Sequence, residues 1–295
     1  MYFDRDNIML QQIEDSNQQK RNVQLTIARL DLLHPIVSGN KFYKLFYFLQ
    51  KAANHHCKKI QTFGGAYSNH LAATAYATQA GGLESTGMVR GEEPSNLSLT
   101  LQQCKANGMQ LHFLPRKEYK EACLHFEANS NLISIPEGGY HPLGAKGAAL
   151  IYEDAALQNA THICLAMGTA TTIAGILQKA SMYQNVIAVP VLKGMNDIEE
   201  RLLYLNGQGR YSNLKIWDEY HFGGYAKTNE SLLQFMNFLY QQYKLPTDIV
   251  YTSKLMYALM EKIEQNYFPA GSRIVCIHTG GLQGNCSLPK NSLIF

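Results

Sequence analysis

KKIQTFGGAYSNHLAATA, residues 58–75, decides the fold. A short strand-like run ends at Phe63, and Gly64-Gly65 permits a tight turn. Ser68 or Asn69 then stands where a helix N-cap belongs, ahead of a run of small helix formers. The same punctuation recurs outward from this stretch. Candidate strands are STGMVR (85–90), MQLHFL (109–114), LISIP (132–136), THICLA (161–166), NVIAVPV (185–191), LKIW (214–217) and RIVCIH (273–278). Helical patterns fall at Ser68–Gln79, Leu97–Asn107, Tyr119–Asn129, Thr171–Tyr183, Asp197–Leu205, Glu230–Tyr243 and Ser253–Asn266. Short apolar strands separated by helices predict an α/β protein with parallel sheets covered on both faces. VQLTIARLDLLHP (23–35) reads as a further strand or hairpin. PEGGYHPLGAKGA (136–148), rich in Gly and Pro, breaks the alternation and reads as a boundary or binding loop.

Bulk properties exclude several classes. With 295 residues, 46% of them hydrophobic, the chain can bury one large core or two ordinary ones. A net charge of +3, with the basic residues scattered, gives no footprint for nucleic acid. No apolar run reaches the ~20 residues that cross a bilayer. The N-terminus, MYFDRDNIMLQQIEDSNQQKRN, lacks the apolar core of a signal peptide. None of the six cysteines pairs as CxxC, and Cys164 and Cys276 lie inside apolar runs, a pattern that fits a reducing cytoplasm.

Five loops remain as candidates for chemistry. In SGNKFYKLFYFLQKA (38–52), Lys41 stands at the seam between a small polar turn and an apolar helical run. It is either an ordinary surface cation or an amine held in place for reaction. LAMGTATTIAG (165–175) has the layout strand, Gly168, hydroxyl residues, helix, which suits either a bound phosphate or an ordinary capped turn. It matches neither GxxxxGK[ST] nor GxGxxG. GGAYSN (64–69), PEGGYHPLGAKG (136–147) and HTGG (278–281), taken singly, are unremarkable turns. Metal and hydrolase readings fail: there is no HExxH, no paired CxxC and no GxSxG, so no metal site is expected. A preorganised lysine together with a phosphate cradle is what pyridoxal 5'-phosphate requires.

Eight motifs in order carry a wider likeness: ARLDLLHPIVSGNKFYKL, GGAYSNHLAATA, MVRGE, PEGGYHPLGAKG, GTATTIAG, GGYAKTNE, DIVYTSKLMYAL and HTGG. From about Ile27 onward the chain resembles the D-cysteine desulfhydrase / 1-aminocyclopropane-1-carboxylate (ACC) deaminase family, pyridoxal-phosphate enzymes of the tryptophan-synthase-β-like fold, fold type II. The resemblance implies two open parallel-sheet domains with the cofactor in the cleft between them. The larger would comprise 1–43 and 151–295 and the smaller 44–150. It implies that Lys41 joins the cofactor, that Lys44 supports its phosphate, and that Gly168, Thr169, Ala170, Thr171 and Thr172 form the phosphate loop. Ser68 would lie near the substrate and Asn69 near the ring hydroxyl. Tyr225 and Tyr251 match two active-site tyrosines, and Thr252 and Thr279 match positions facing the pyridine end. A homodimer with a small amino-acid substrate is implied as well.

ACC-deaminase-like relatives tend to carry glutamate and leucine where this chain has Thr252 and Thr279. A carboxylate at the pyridine nitrogen keeps it protonated and deepens the electron sink, whereas a hydroxyl does not. The resemblance therefore points to D-cysteine desulfhydrase-like elimination giving pyruvate, ammonia and sulfide, with Ser68 or Lys41 removing the Cα proton and Tyr251 or Tyr225 assisting the leaving group. The alternatives are ACC deaminase activity and a catalytically weak regulatory protein. The chain departs from the family pattern at Tyr43 and Ala72, where arginines are usual, and at Ala170 and Thr171, where glycines are usual.

Overall fold

The computed structural model describes residues 8–124 and 131–295. Strands β1 (Met9–Ile13) and β2 (Gln24–Arg29) open the chain. Strands β3 (Lys59–Gly64), β4 (Glu84–Arg90), β5 (Gln110–Leu114) and β6 (Leu132–Ile135) follow. Strands β7 (His162–Met167), β8 (Asn185–Pro190), β9 (Leu214–Ile216) and β10 (Arg273–His278) close it. The middle four form one sheet in the order β5-β4-β3-β6, parallel throughout. The other six form a second sheet, β1-β2-β10-β7-β8-β9, parallel except where β1 runs against β2. The fold is thus α/β with two open sheets. The central strand β7 is buried at every position, as expected of a strand covered on both faces.

The helices are α1 (Ser16–Arg21), α2 (Asn40–Asn54), α3 (Asn69–Ala80), α4 (Leu99–Ala106), α5 (Arg116–Ala122), α6 (Pro142–Ala149), α7 (Ala155–Asn159), α8 (Thr171–Leu177), α9 (Ile198–Asn206), α10 (Glu230–Tyr243) and α11 (Thr252–Glu264). The eight strands expected between 58 and 278 are all present, and α10 matches its expected span. Three expectations need correction. The Gly/Pro-rich stretch 136–148, expected to be a boundary or binding loop, does bring Glu137 and Gly138 to the cleft described below, but from Pro142 onward it is helical. His141 caps α6 by accepting from the Leu143 N–H, and Pro142 starts the helix where a missing N–H costs nothing. The α8 helix ends at Leu177, well short of Tyr183, because Ser181–Gln184 turns toward β8. The helix expected at Tyr119–Asn129 runs over Arg116–Ala122, and residues 125–130 lie outside the described part. So do residues 1–7, which began the N-terminal reading.

Small residues explain why α6 is a helix. A Cβ on Gly147 would meet the Tyr43 carbonyl oxygen at 2.1 Å, and one on Gly175 would meet that of Ala145 at 2.5 Å. Glycine lets the α2, α6 and α8 backbones touch, and that close packing outweighs glycine's weak helix preference. These three helices share one core with Phe48, Leu45 and Ile173, between the two sheets. No described helix is long and apolar enough to cross a membrane.

Candidate active site

Two interlocked turns set the base of the site. Gly39 has φ +69, its N–H donates to the Leu30 carbonyl, and the Asn40 N–H donates to that of Thr279. A Cβ on Gly39 would lie 1.7 Å from the Thr279 oxygen, and one on Gly280 (φ +70) would lie 2.7 Å from the Gly39 Cα. Only glycines allow this approach. It fixes the first turn of α2, which carries Lys41 and Lys44 one turn apart on one face. Lys41 Nζ donates to Asn40 Oδ1 at 2.7 Å, and Asn40 Nδ2 donates to Thr172 Oγ1 at 2.9 Å, so the amine is tied to the 168–172 loop. Burial pushes the Lys41 amine down to about 8, against the opposing pull of Asp248. Lys44 is held well below the usual lysine range by burial and then by Lys41, and its Nζ donates to the Gly138 carbonyl at 3.1 Å.

On the opposite wall, Ser68 caps α3 by accepting from the Leu71 N–H. Asn69 Nδ2 donates to the Gly281 carbonyl at 3.0 Å, while its buried Oδ1 has no partner. His70 Nε2 donates to Thr62 Oγ1, whose own proton goes to the Ile135 carbonyl. Burial, then the two lysines, keep this imidazole neutral. Thr169 and Thr171 hydroxyls bond each other at 2.9 Å, and Ala170 takes a left-handed φ of +65 at the start of α8. The N–H groups of Thr171, Thr172 and Ile173 open that helix and have no acceptor within it.

Tyr251 packs its ring edge within 3.0 Å of where a Gly168 Cβ would sit, which explains the glycine. Tyr225 meets Tyr251 edge-on, ring centroids 6.3 Å apart. Burial raises the Tyr251 phenol well above its usual value. Desolvation raises Tyr225 too, although 48% of its surface is exposed. The neighbouring Tyr225 phenol pushes Tyr251 up further, whereas Tyr251 eases Tyr225.

These groups surround a cleft of about 350 Å³ whose walls come from both sheets, within the ~300–1,000 Å³ usual for small-molecule sites. Lys41, Lys44, Ser68, Asn69, Gly168, Thr169, Ala170, Thr171, Thr172, Tyr225, Tyr251 and Thr279 all line it. Thr252 does not. It is buried behind Val250 and Tyr251, and its hydroxyl donates to Asp248 Oδ1 at 2.7 Å while accepting from the Asp248 N–H. Asp248 was missed because nothing in DIVYTSK marks it beyond an ordinary loop acid. It is fully buried and accepts from the N–H groups of Val250, Tyr251 and Thr252, which builds the start of α11. Arg90, Glu137 and Arg201 also line the cleft unforeseen, although MVRGE and PEGGY were both singled out. Among the described residues, no group of three His, Cys, Asp or Glu is placed to hold a metal.

Known proteins resemble this chain over most of its length. A putative 1-aminocyclopropane-1-carboxylate deaminase of Thermotoga maritima is 28% identical over 90% of this chain and 91% of its own. A D-cysteine desulfhydrase of Yersinia enterocolitica is 25% identical over 88% and 86%. The crystal structure of an ACC deaminase homologue superposes with a TM-score of 0.75 at 23% identity, covering 95% of this chain and 91% of that one. The sequence model of the pyridoxal-phosphate dependent enzymes matches residues 10–280, and the chain belongs to that family.

Proposed function

We propose that the protein is a deaminating lyase of the D-cysteine desulfhydrase kind, releasing pyruvate, ammonia and sulfide. The observation that carries the reading is a separation of proton affinities within one cleft. Lys41 is lowered to about 8, as suits a nucleophile and base, while the Tyr251–Tyr225 pair is raised and so keeps its protons, as suits hydrogen-bond donors to a departing group.

The residues fit pyridoxal phosphate. Lys41 would join it, and Lys44 and the first N–H groups of α8 would hold its phosphate. The unpartnered Asn69 Oδ1 offers an acceptor for its ring hydroxyl. When bound, the cofactor withdraws electrons from the Cα of an amino acid and acidifies its proton. Lys41, once free, or Ser68 takes that proton. The Tyr251 and Tyr225 hydroxyls bond the departing sulfur. Thr279 lines the cleft, while Thr252 stands behind it with its proton committed to Asp248. The choice of D-cysteine over ACC is supported by Thr279 and by the D-cysteine desulfhydrase among the named relatives. The same reading assigns 1–43 with 151–295 to the cofactor-binding domain and 44–150 to the smaller one. It also takes the protein to be a cytoplasmic homodimer, supported by the family resemblance and by six free cysteines.

The test is the visible spectrum of the reconstituted protein while D-cysteine is added and pyruvate and sulfide are assayed. A cofactor band that changes as both products appear supports the reading. A band that ignores D-cysteine but responds to ACC with release of ammonia moves the assignment to ring-opening deamination.

A further inference from the structure

Tyr225 reaches the cleft on a segment with little regular structure of its own. Phe222 (φ +51), Gly223 (φ +92), Gly224 (φ +120) and Ala226 (φ +54) all take left-handed backbone, and residues 225–227 are exposed. Such a path needs an outside constraint to hold one course. Lys254 supplies it. This side chain is fully buried on α11, one turn beyond Tyr251. Its Nζ donates to the carbonyls of His221 and Gly224, each at 2.8 Å, the second being the last carbonyl before Tyr225. A buried ammonium used on two backbone oxygens is a costly arrangement. The negative charge of Asp248, itself fully buried at the start of the same helix, offsets part of that cost. One helix turn therefore places Tyr251 directly and reaches across to fix the approach of its partner.

We propose that Lys254 is a positioning residue for the proposed reaction: a buried clamp that holds the 221–224 backbone so that the Tyr225 phenol meets Tyr251 over the cleft. The proposal rests on the reading of the tyrosine pair as hydrogen-bond donors to the departing sulfur. It explains why a lysine, with several donors on a flexible stem, occupies a position where an apolar residue would fill the core at less cost.

Two measurements on the cofactor-loaded protein test it. The first is the rate of tryptic cleavage after Lys227, followed by mass spectrometry. Lys254→Met keeps the apolar stem and removes the donors. It should speed this cut by about tenfold or more, the effect of losing charge-assisted hydrogen bonds, and leave the cofactor absorbance intact. The second is a kinetic cycle with Tyr225→Phe. Lys254→Met should lower kcat with little change in KM, to about the level of Tyr225→Phe. The double variant should be no slower than Tyr225→Phe alone, because a clamp acting through Tyr225 has nothing left to act on. Should Lys254→Met fail to fold, Gly224→Ala serves instead. A Cβ there meets nothing closer than 3.6 Å, so its effect is backbone strain at φ +120 that pulls the carbonyl off the ammonium. It should reproduce both results. Unchanged cleavage after Lys227 overturns the clamp, and losses that multiply in the double variant overturn its action through Tyr225. A wild-type protein that releases no sulfide from D-cysteine overturns the functional reading instead, and the cleavage result alone then decides the clamp.

Discussion

Replacing Asp248 by Asn probes the base of the site. The two carboxylate oxygens accept four hydrogen bonds, Oδ2 from the Val250 and Tyr251 N–H groups and Oδ1 from the Thr252 N–H and hydroxyl. Asn presents one oxygen and one NH₂; with the NH₂ toward Thr252 the hydroxyl can turn and accept, so one to two of the four bonds are lost. At ~1.5–3 kcal/mol for each bond to a charged acceptor the loss is about 1.5–6 kcal/mol, against the ~5–15 kcal/mol that holds a typical protein folded. The change also removes the charge that raises the Lys41 amine, so that amine, already at about 8, should fall further. The assays are urea unfolding of the cofactor-free protein, read by circular dichroism, and the pH dependence of cofactor attachment, read by absorbance. The expected results are a loss in that range and an attachment midpoint displaced to lower pH. A loss below about 1 kcal/mol, or a midpoint that stays or rises, refutes the reasoning, since no buried carboxylate bond is worth so little.

Further expectations follow from single positions. Ala170 holds φ +65 without a side-chain cap, so Ala170→Gly should raise stability by about 1 kcal/mol and the melting temperature by ~1–2 °C. Scanning calorimetry measures it, and a fall would show that the Ala170 methyl is needed for packing. Gly39→Ala places a methyl 1.7 Å from the Thr279 oxygen; the turn must open, and the cofactor band should disappear or the protein become insoluble. In the unmodified protein, the rate of cofactor attachment should rise with pH through about 8 and level off above it, because only the neutral Lys41 amine attacks. Stopped-flow absorbance across that interval checks the sign, and a rate that falls as pH rises contradicts it.

Much of this was legible because local signals agreed with the tertiary outcome. Phe63-Gly64-Gly65 ends a strand, Ser68 caps a helix, and the parallel sheets follow from repetition of that unit. Lys41 stood out because a glycine turn directly before a helix is a local feature. What stayed hidden depends on contacts distant in sequence. The α6 helix forms because Gly147 meets the Tyr43 backbone about a hundred residues away, and no local preference reports that. Strand β1 has exposed Met9 and Leu10 and is a strand because β2 pairs with it. Thr252 resembles a residue facing the cofactor in sequence, yet its hydroxyl is committed to Asp248, and that commitment is visible only once the 248–252 loop has closed. Arg90, Glu137 and Arg201 are ordinary charged residues until β4, the turn after β6 and α9 converge on one cleft.

On the proposed reading, Lys41 carries pyridoxal phosphate in this cleft. The most direct test is to load the purified protein with the cofactor and reduce with borohydride, which makes a lysine–cofactor linkage permanent. Proteolysis and mass spectrometry then locate the modified lysine. One modified residue, Lys41, is expected, and none after Lys41→Ala. Modification at Lys44 or Lys254 instead, or an unmodified chain, would contradict it.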